Sequence, residues 1–183
     1  MRLCLDACVL YPTVLREILM GVAGQGLFTP LWSVRICEEW RRTADRQSPG
    51  DGVIAEGEIA LLNVRWPEAN IAADPTLEQQ LWLPDPADIH VLATAIKGQA
   101  QGIVTMNLRD FPARELSAHG LAAHHPDALL YQLWQDHPDP VAETVTRVHA
   151  TAQSLAGHPL DLRKLMKRAR LPRLGKALSS SLS

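Results

Sequence analysis

Cysteine is scarce: the 183 residues hold three, Cys4, Cys8 and Cys37. An odd count with no Cys-x-x-Cys pair argues against a disulfide framework or a zinc ribbon, and buried apolar thiols are the expectation. Long hydrophobic runs are missing too. The longest uncharged stretch lies between Glu17 and Arg35, and Gly21, Gly24, Gly26 and Pro30 interrupt it, against a membrane span. Asp6 breaks the apolar start of the chain, against a secretory leader, so a cytoplasmic protein is expected. There is no internal repeat and no long linker. Hydrophobic residues make up 46% and charged residues 21%, so a buried core is expected, and only Ser179 to Ser183 reads as a disordered tail.

Net charge is −2, which alone predicts no partner. Its distribution is polarised. Residues 161–183 carry seven Lys/Arg against Asp161, a surplus of +6, whereas residues 1–160 carry −8. An acidic body with a basic C-terminal segment fits three uses for that segment: contact with a phosphate backbone, a solvated helix packed through Leu162, Leu165 and Met166, or docking of an acidic partner.

Along the chain, Arg2 to Leu5 reads as a buried strand ending at Asp6. Val9 to Val22 has apolar residues at helical spacing, ended by Gly24 and Gly26. Leu27 to Trp32 predicts a second strand, and Ser33 is the natural N-cap of a helix to about Arg46 with Ile36, Cys37 and Trp40 on its apolar face. The turn at residues 48–52 precedes a helix from about Val53 to Val64. Pro84-Asp85-Pro86 stops the chain ahead of a helix with Ile89, Leu92, Ala93 and Ile96 as its stripe. Ile103-Val104-Thr105 and Gly120 to Ala123 predict strands, and Pro126 to Gln135 and Pro140 to Leu155 helices. Strands alternating with helices predict an α/β fold: three layers, a central mostly parallel sheet flanked by helices, with a C-terminal helical extension. The expected division is residues 1–137 and 138–183.

In such sheets ligands sit beyond the carboxyl ends of the strands. Asp6 stands at one such end; Thr105, Asn107 and Asp110 stand at another. Each acid has an ordinary alternative. Asp6 could cap a helix, and Glu38 and Glu39 could lie on a solvated helix face. Asp85 and Asp88 could favour the positive end of a helix dipole, and Asn107 and Asp110 could form a polar turn. Together they are harder to explain so. Two carboxylates ~5 Å apart repel by roughly 3 kcal/mol at an effective dielectric near 20. Several such groups require a cation or shared protons, and an all-oxygen set suits Mg²⁺ or Mn²⁺ rather than zinc.

Four segments carry a resemblance: Leu5-Asp6-Ala7-Cys8-Val9-Leu10-Tyr11-Pro12, Ile36-Cys37-Glu38-Glu39-Trp40, Leu83 to Ala95 and Ile103 to Phe111. In this order and spacing they resemble a PIN domain, over about residues 1–130, and are particularly similar to the VapC-like branch of bacterial toxin nucleases. The resemblance implies a Mg²⁺- or Mn²⁺-dependent endoribonuclease with an RNA substrate, a cognate antitoxin and a homodimer. It implies Asp6, Glu39, Asp88 and Asp110 as catalytic and metal-binding residues. Glu38 is the fallback for Glu39, and Asp85, Thr105 and Asn107 are additional candidates. One departure stands out: many members carry Ser or Thr just after the first Asp, where this chain has Ala7 and Cys8.

Rival classes fit less well. A PIN-like module that binds RNA or protein without cleaving would not need the full acid set. A haloacid-dehalogenase-type phosphatase wants a second acid two residues after the first, where Cys8 stands, and a receiver domain wants a late Lys that Lys97, on a helix, does not match. Arg16, Arg41, Arg42 and Arg109 are further candidates for phosphate contact, with surface charge as the alternative. His124 and His125 are expected to be surface histidines in a turn.

Overall fold

The computed structural model describes residues 1–181. Strand β1 (Arg2–Leu5) is the buried apolar segment ahead of Asp6. Helices α1 (Ala7–Leu10) and α2 (Thr13–Gly24) replace the single helix expected over Val9–Val22. Pro12 separates them: it lacks the N–H that would continue α1 and holds extended backbone at ψ 115°. Strand β2 (Thr29–Leu31) leads to α3 (Val34–Gln47), whose first turn is capped as expected, Ser33 Oγ accepting the Ile36 N–H at 3.3 Å. Helix α4 (Asp51–Arg65) follows the turn that begins at Ser48 and packs against α3. Asp74 caps a short, unanticipated α5 (Pro75–Glu78). A 3-10 turn, Pro86–Asp88, opens α6 (Ile89–Lys97). Strand β3 (Gly102–Val104), a second 3-10 turn at Leu108–Asp110, the unanticipated α7 (Ala113–Ser117) and strand β4 (Ala122–His124) follow. Helices α8 (Pro126–Asp136), α9 (Pro138–Ala156), α10 (Leu162–Arg168) and α11 (Pro172–Ser181) complete the order. Residues 179–181, expected to be disordered, close α11, where Leu178 is buried and the Ser179 hydroxyl bonds back to the Gly175 carbonyl; the remainder of that expectation, residues 182–183, lies outside the described residues.

The chain forms two compact units. The first comprises Met1–Tyr11 and Phe28–His124. Its four-stranded sheet is parallel throughout, in the order β2-β1-β3-β4, and is flanked by helices, the α/β class expected. Chain order reverses between β1 and β3: from β1 the chain first moves out to β2, then returns to the other side. That is a topological switch point, where parallel sheets open a crevice at the carboxyl ends of the strands. The register Leu5↔Val104 sets the ends of β1 and β3 level, so Asp6 and Thr105 emerge side by side. Helix α6 packs on both strands, burying Val91, Leu92 and Ala95.

The second unit comprises Pro12–Leu27 and the chain from His125 onward. Helix α2 lies against α9 at close range, because Gly21 leaves room for Thr144; a Cβ at Gly21 would stand 2.5 Å from Thr144 Cγ2. Buried Asp127 on α8 accepts the N–H groups of Arg173 and Leu174 at 2.9 and 3.0 Å, satisfying the first turn of α11 and complementing its dipole. Leu165 and Met166 bury one side of α10, as the apolar-face reading of the segment expected. Among the described residues, no helix is long and apolar enough to cross a membrane.

Candidate active site

Asp6 follows a strand buried on both faces and is itself only 7% exposed. Its Oδ2 accepts the Thr105 hydroxyl at 2.7 Å and the Cys8 thiol at 3.1 Å. The network continues outward. The Met106 N–H points to Cys8 Sγ at 3.2 Å, and the Asn107 N–H to Thr105 Oγ1 at 3.1 Å. One carboxylate oxygen is thereby fixed in place, with Oδ1 left out of these bonds. At the departure, Ala7 and Cys8, the thiol two residues on and a hydroxyl from the neighbouring strand end both donate to Asp6. Burial, with Asp6 nearby, pushes the Cys8 thiol up to about 12, so it stands as a protonated donor. Cys4 and Cys37 are buried thiols as expected; Cys8 is the exception, half-buried and hydrogen-bonded.

Asp88 is the N-cap of α6 yet makes no capping hydrogen bond. Its carboxyl is pushed up to about 6, first by burial and then by the charges of Asp6, Asp85, Asp110 and Glu39. Groups far apart in sequence, just after β1, on α3, ahead of α6 and on the second 3-10 turn, thus share one electrostatic neighbourhood.

Neighbouring glutamates on α3 divide their roles. Glu38 turns to Arg41 and Arg42, with contacts of 2.7 to 2.9 Å, and those guanidinium groups pull its carboxyl down to about 2. Glu39 lines the pocket. Its Oε1 lies 2.7 Å from Nε2 of buried His90, without the angle of a hydrogen bond, and 3.7 Å from Arg35 Nε. Asp85 is exposed and spends one oxygen on the Ala87 N–H at 2.9 Å, the cap its position suggested. Asp110, half-buried on the second 3-10 turn, is close enough to raise Asp88.

Asp6, Glu39, Asp88 and Asn107 border an open hollow of about 740 Å³ in the first unit, with Arg41, Arg42 and Arg46 on its rim. An acidic interior under a basic rim can take a cation inside and a phosphate above it. Arg46 went unnoticed in the sequence, although it follows Arg41 and Arg42 on the same helix. Among the described residues no three His, Cys, Asp or Glu side chains stand close enough to hold an ion as posed. The donor chemistry nevertheless fits one: an unpaired carboxyl raised by burial and by four nearby carboxylates is relieved by a divalent cation. Arg16 is not a phosphate contact; it is 2% exposed, with Glu17 3.9 Å away. His124 sits in strand β4 and His125 caps α8, Nδ1 accepting the Asp127 N–H at 3.2 Å, so neither lies in a turn.

A comparison with curated proteins and another with solved structures each gave no match. A family model described as the PIN domain matches residues 2–109, more than half of the chain and every candidate acid except Asp110. PIN domains are typically nucleases, hydrolases of phosphodiester bonds that generally use divalent metals. The parallel sheet, the acids gathered at its switch point and this match agree: the chain belongs to the PIN domain family.

Proposed function

We propose that this protein is a Mg²⁺- or Mn²⁺-dependent endoribonuclease and the VapC-like toxin of a toxin–antitoxin pair, acting in the cytoplasm. One observation carries the catalytic reading: Asp88, held up to about 6 by burial and by four nearby carboxylates, lines an open pocket. Asp6, Asp88 and Asp110 would hold the ion, with Asp6 kept in orientation by Thr105 and Cys8. When bound, the ion supplies positive charge to a phosphate oxygen and lowers the pKa of a water. Glu39 would orient a water for attack on phosphorus opposite the ribose 3′ oxygen; the bond from phosphorus to that oxygen breaks, leaving a 3′ hydroxyl and a 5′ phosphate. Arg41, Arg42 and Arg46 neutralise flanking phosphates at the rim.

The toxin reading also calls for a protein partner. Helix α4 presents Val53, Ile54, Leu61 and Val64 to solvent, each more than 60% exposed, an apolar stripe that an antitoxin or a second copy in a homodimer would cover. A second reading, a silent RNA- or protein-binding module, is favoured by the lack of a ready-made ion cage among the described residues. Cleavage of a mixed RNA pool with end mapping separates the two. Mg²⁺- or Mn²⁺-dependent products with 5′ phosphates, lost in Asp6→Asn with the fold retained, are expected. RNA binding without any metal-dependent cleavage would establish the silent module, and full activity in purified Asp6→Asn would remove Asp6 from the site.

A further inference from the structure

We propose that the exposed side of α10, in the second unit, binds the phosphate backbone of single-stranded RNA. The choice of RNA rests on the nuclease reading; the surface itself stands on separate observations. Lys164, Lys167 and Arg168 are exposed and stand at i, i+3 and i+4, so they share one helix face, which with Arg170 and His158 borders an open hollow of about 860 Å³. None of these four Lys/Arg side chains has a carboxylate partner among the described residues. Asp161, the acid at the edge of the hollow, already spends an oxygen on the Lys164 N–H at 2.7 Å as the cap of α10.

The surface is held in shape from both sides. Leu165 and Met166 anchor the opposite face of α10, and Gly175 of α11 approaches Met166 so closely that a Cβ there would stand 2.6 Å from Met166 Cβ. The loop forming the facing wall is tied to α9, where His149 Nε2 meets the Leu160 carbonyl at 2.6 Å and Gln153 Oε1 accepts the Leu160 N–H at 3.0 Å. Arg170 adds an independent sign. It closes α10 in left-handed backbone at φ +63°, the conformation in which Gly157 closes α9 at φ +72°. Glycine adopts that geometry freely and an arginine pays a steric cost there. An arginine there sets a guanidinium at the edge of the hollow. The remaining body of the chain carries −8, so a cationic counter-surface offsets its repulsion of a phosphate backbone.

The test is anisotropy of a labelled single-stranded RNA against the full chain in chelator, across a salt series. Lys164→Gln/Lys167→Gln/Arg168→Gln should reduce the slope of log affinity against log salt by about 2, from roughly 0.7 per lost phosphate contact, and weaken binding at least tenfold at low salt. Arg170→Gly should weaken binding several-fold while raising the melting temperature by about 2 °C through release of the backbone strain, which separates loss of contact from loss of fold. An unchanged slope in the triple variant, or unchanged affinity in Arg170→Gly, overturns the proposal. So does tighter binding of polyglutamate than of RNA, which would assign the surface to an acidic protein. Failure of the nuclease reading looks different: wild-type protein that cleaves nothing yet loses its salt slope in the triple variant leaves this surface standing.

Discussion

Asp88 holds the most information at the scale of single residues. In the unfolded chain it ionises near the ordinary aspartate value of about 3.9; in the fold, near 6. Between those values the folded protein binds more protons than the unfolded chain, so stability falls as pH rises through that window and stays lowered above it. Asp88→Asn removes the charge that causes this. Allowing for solvent screening of a partly exposed group, the metal-free variant should gain about 1 kcal/mol at pH 7.5, or about 2–4 °C in melting temperature, and less at pH 4.5. Thermal melts in chelator at the two pH values measure it, and a variant less stable than wild type at pH 7.5 contradicts the crowding of acids. The same scale shows what residue identity reveals in advance. Asp6 was legible as a candidate because a carboxylate closing an apolar strand needs a reason to be there; Glu39 and Asp88 were singled out from their neighbours Glu38 and Asp85 by the resemblance. Cys8 was not, because a thiol donating to a carboxylate has no distinctive spacing; only the fold brings Thr105 and Cys8 to the same oxygen. Glu38 and Glu39 were separable only in part, since the ion pairs that claim Glu38 depend on rotamers rather than on sequence.

At the scale of elements, buried apolar runs and capping residues carried the expectation. β1, α3, α6 and β3 are where such signals placed them, and these are the elements that present the acids. Pro12 was a readable break that the longer apolar period of Val14 to Val22 overrode. The short α5 and α7 span barely one turn, too little to show a period. Residues 179–181 read as tail because serine-rich segments lack a stripe, whereas α11 is started by Asp127, far away in sequence. The α2–α9 contact gives a prediction at this scale. Gly21→Ala drives a Cβ against Thr144 Cγ2 and should cost about 1–3 kcal/mol. Adding Thr144→Ser, which removes that methyl group, should restore part of the loss. Denaturant unfolding of the single and double variants tests it, and additive effects would rule out the contact as the cause.

Across the whole molecule, charge is polarised along the chain and the sheet is polarised by its parallel strands. All four strands run the same way, so their carboxyl ends share an edge, and the order reversal beside β1 opens that edge. The acids gather there under a rim of arginines, while the cations near the C-terminus lie in the other unit. The alternation of elements made the α/β class legible early. What stayed hidden was distance: no spacing along a chain says which acids will share a field. The most direct test of that convergence is calorimetric titration of Mn²⁺ into the metal-free protein at pH 7.5. Wild type should bind Mn²⁺, and Asp6→Asn and Asp88→Asn should each bind at least tenfold more weakly. Equal Mn²⁺ affinity in wild type and both variants, or no binding by wild type at millimolar ion, would contradict the account.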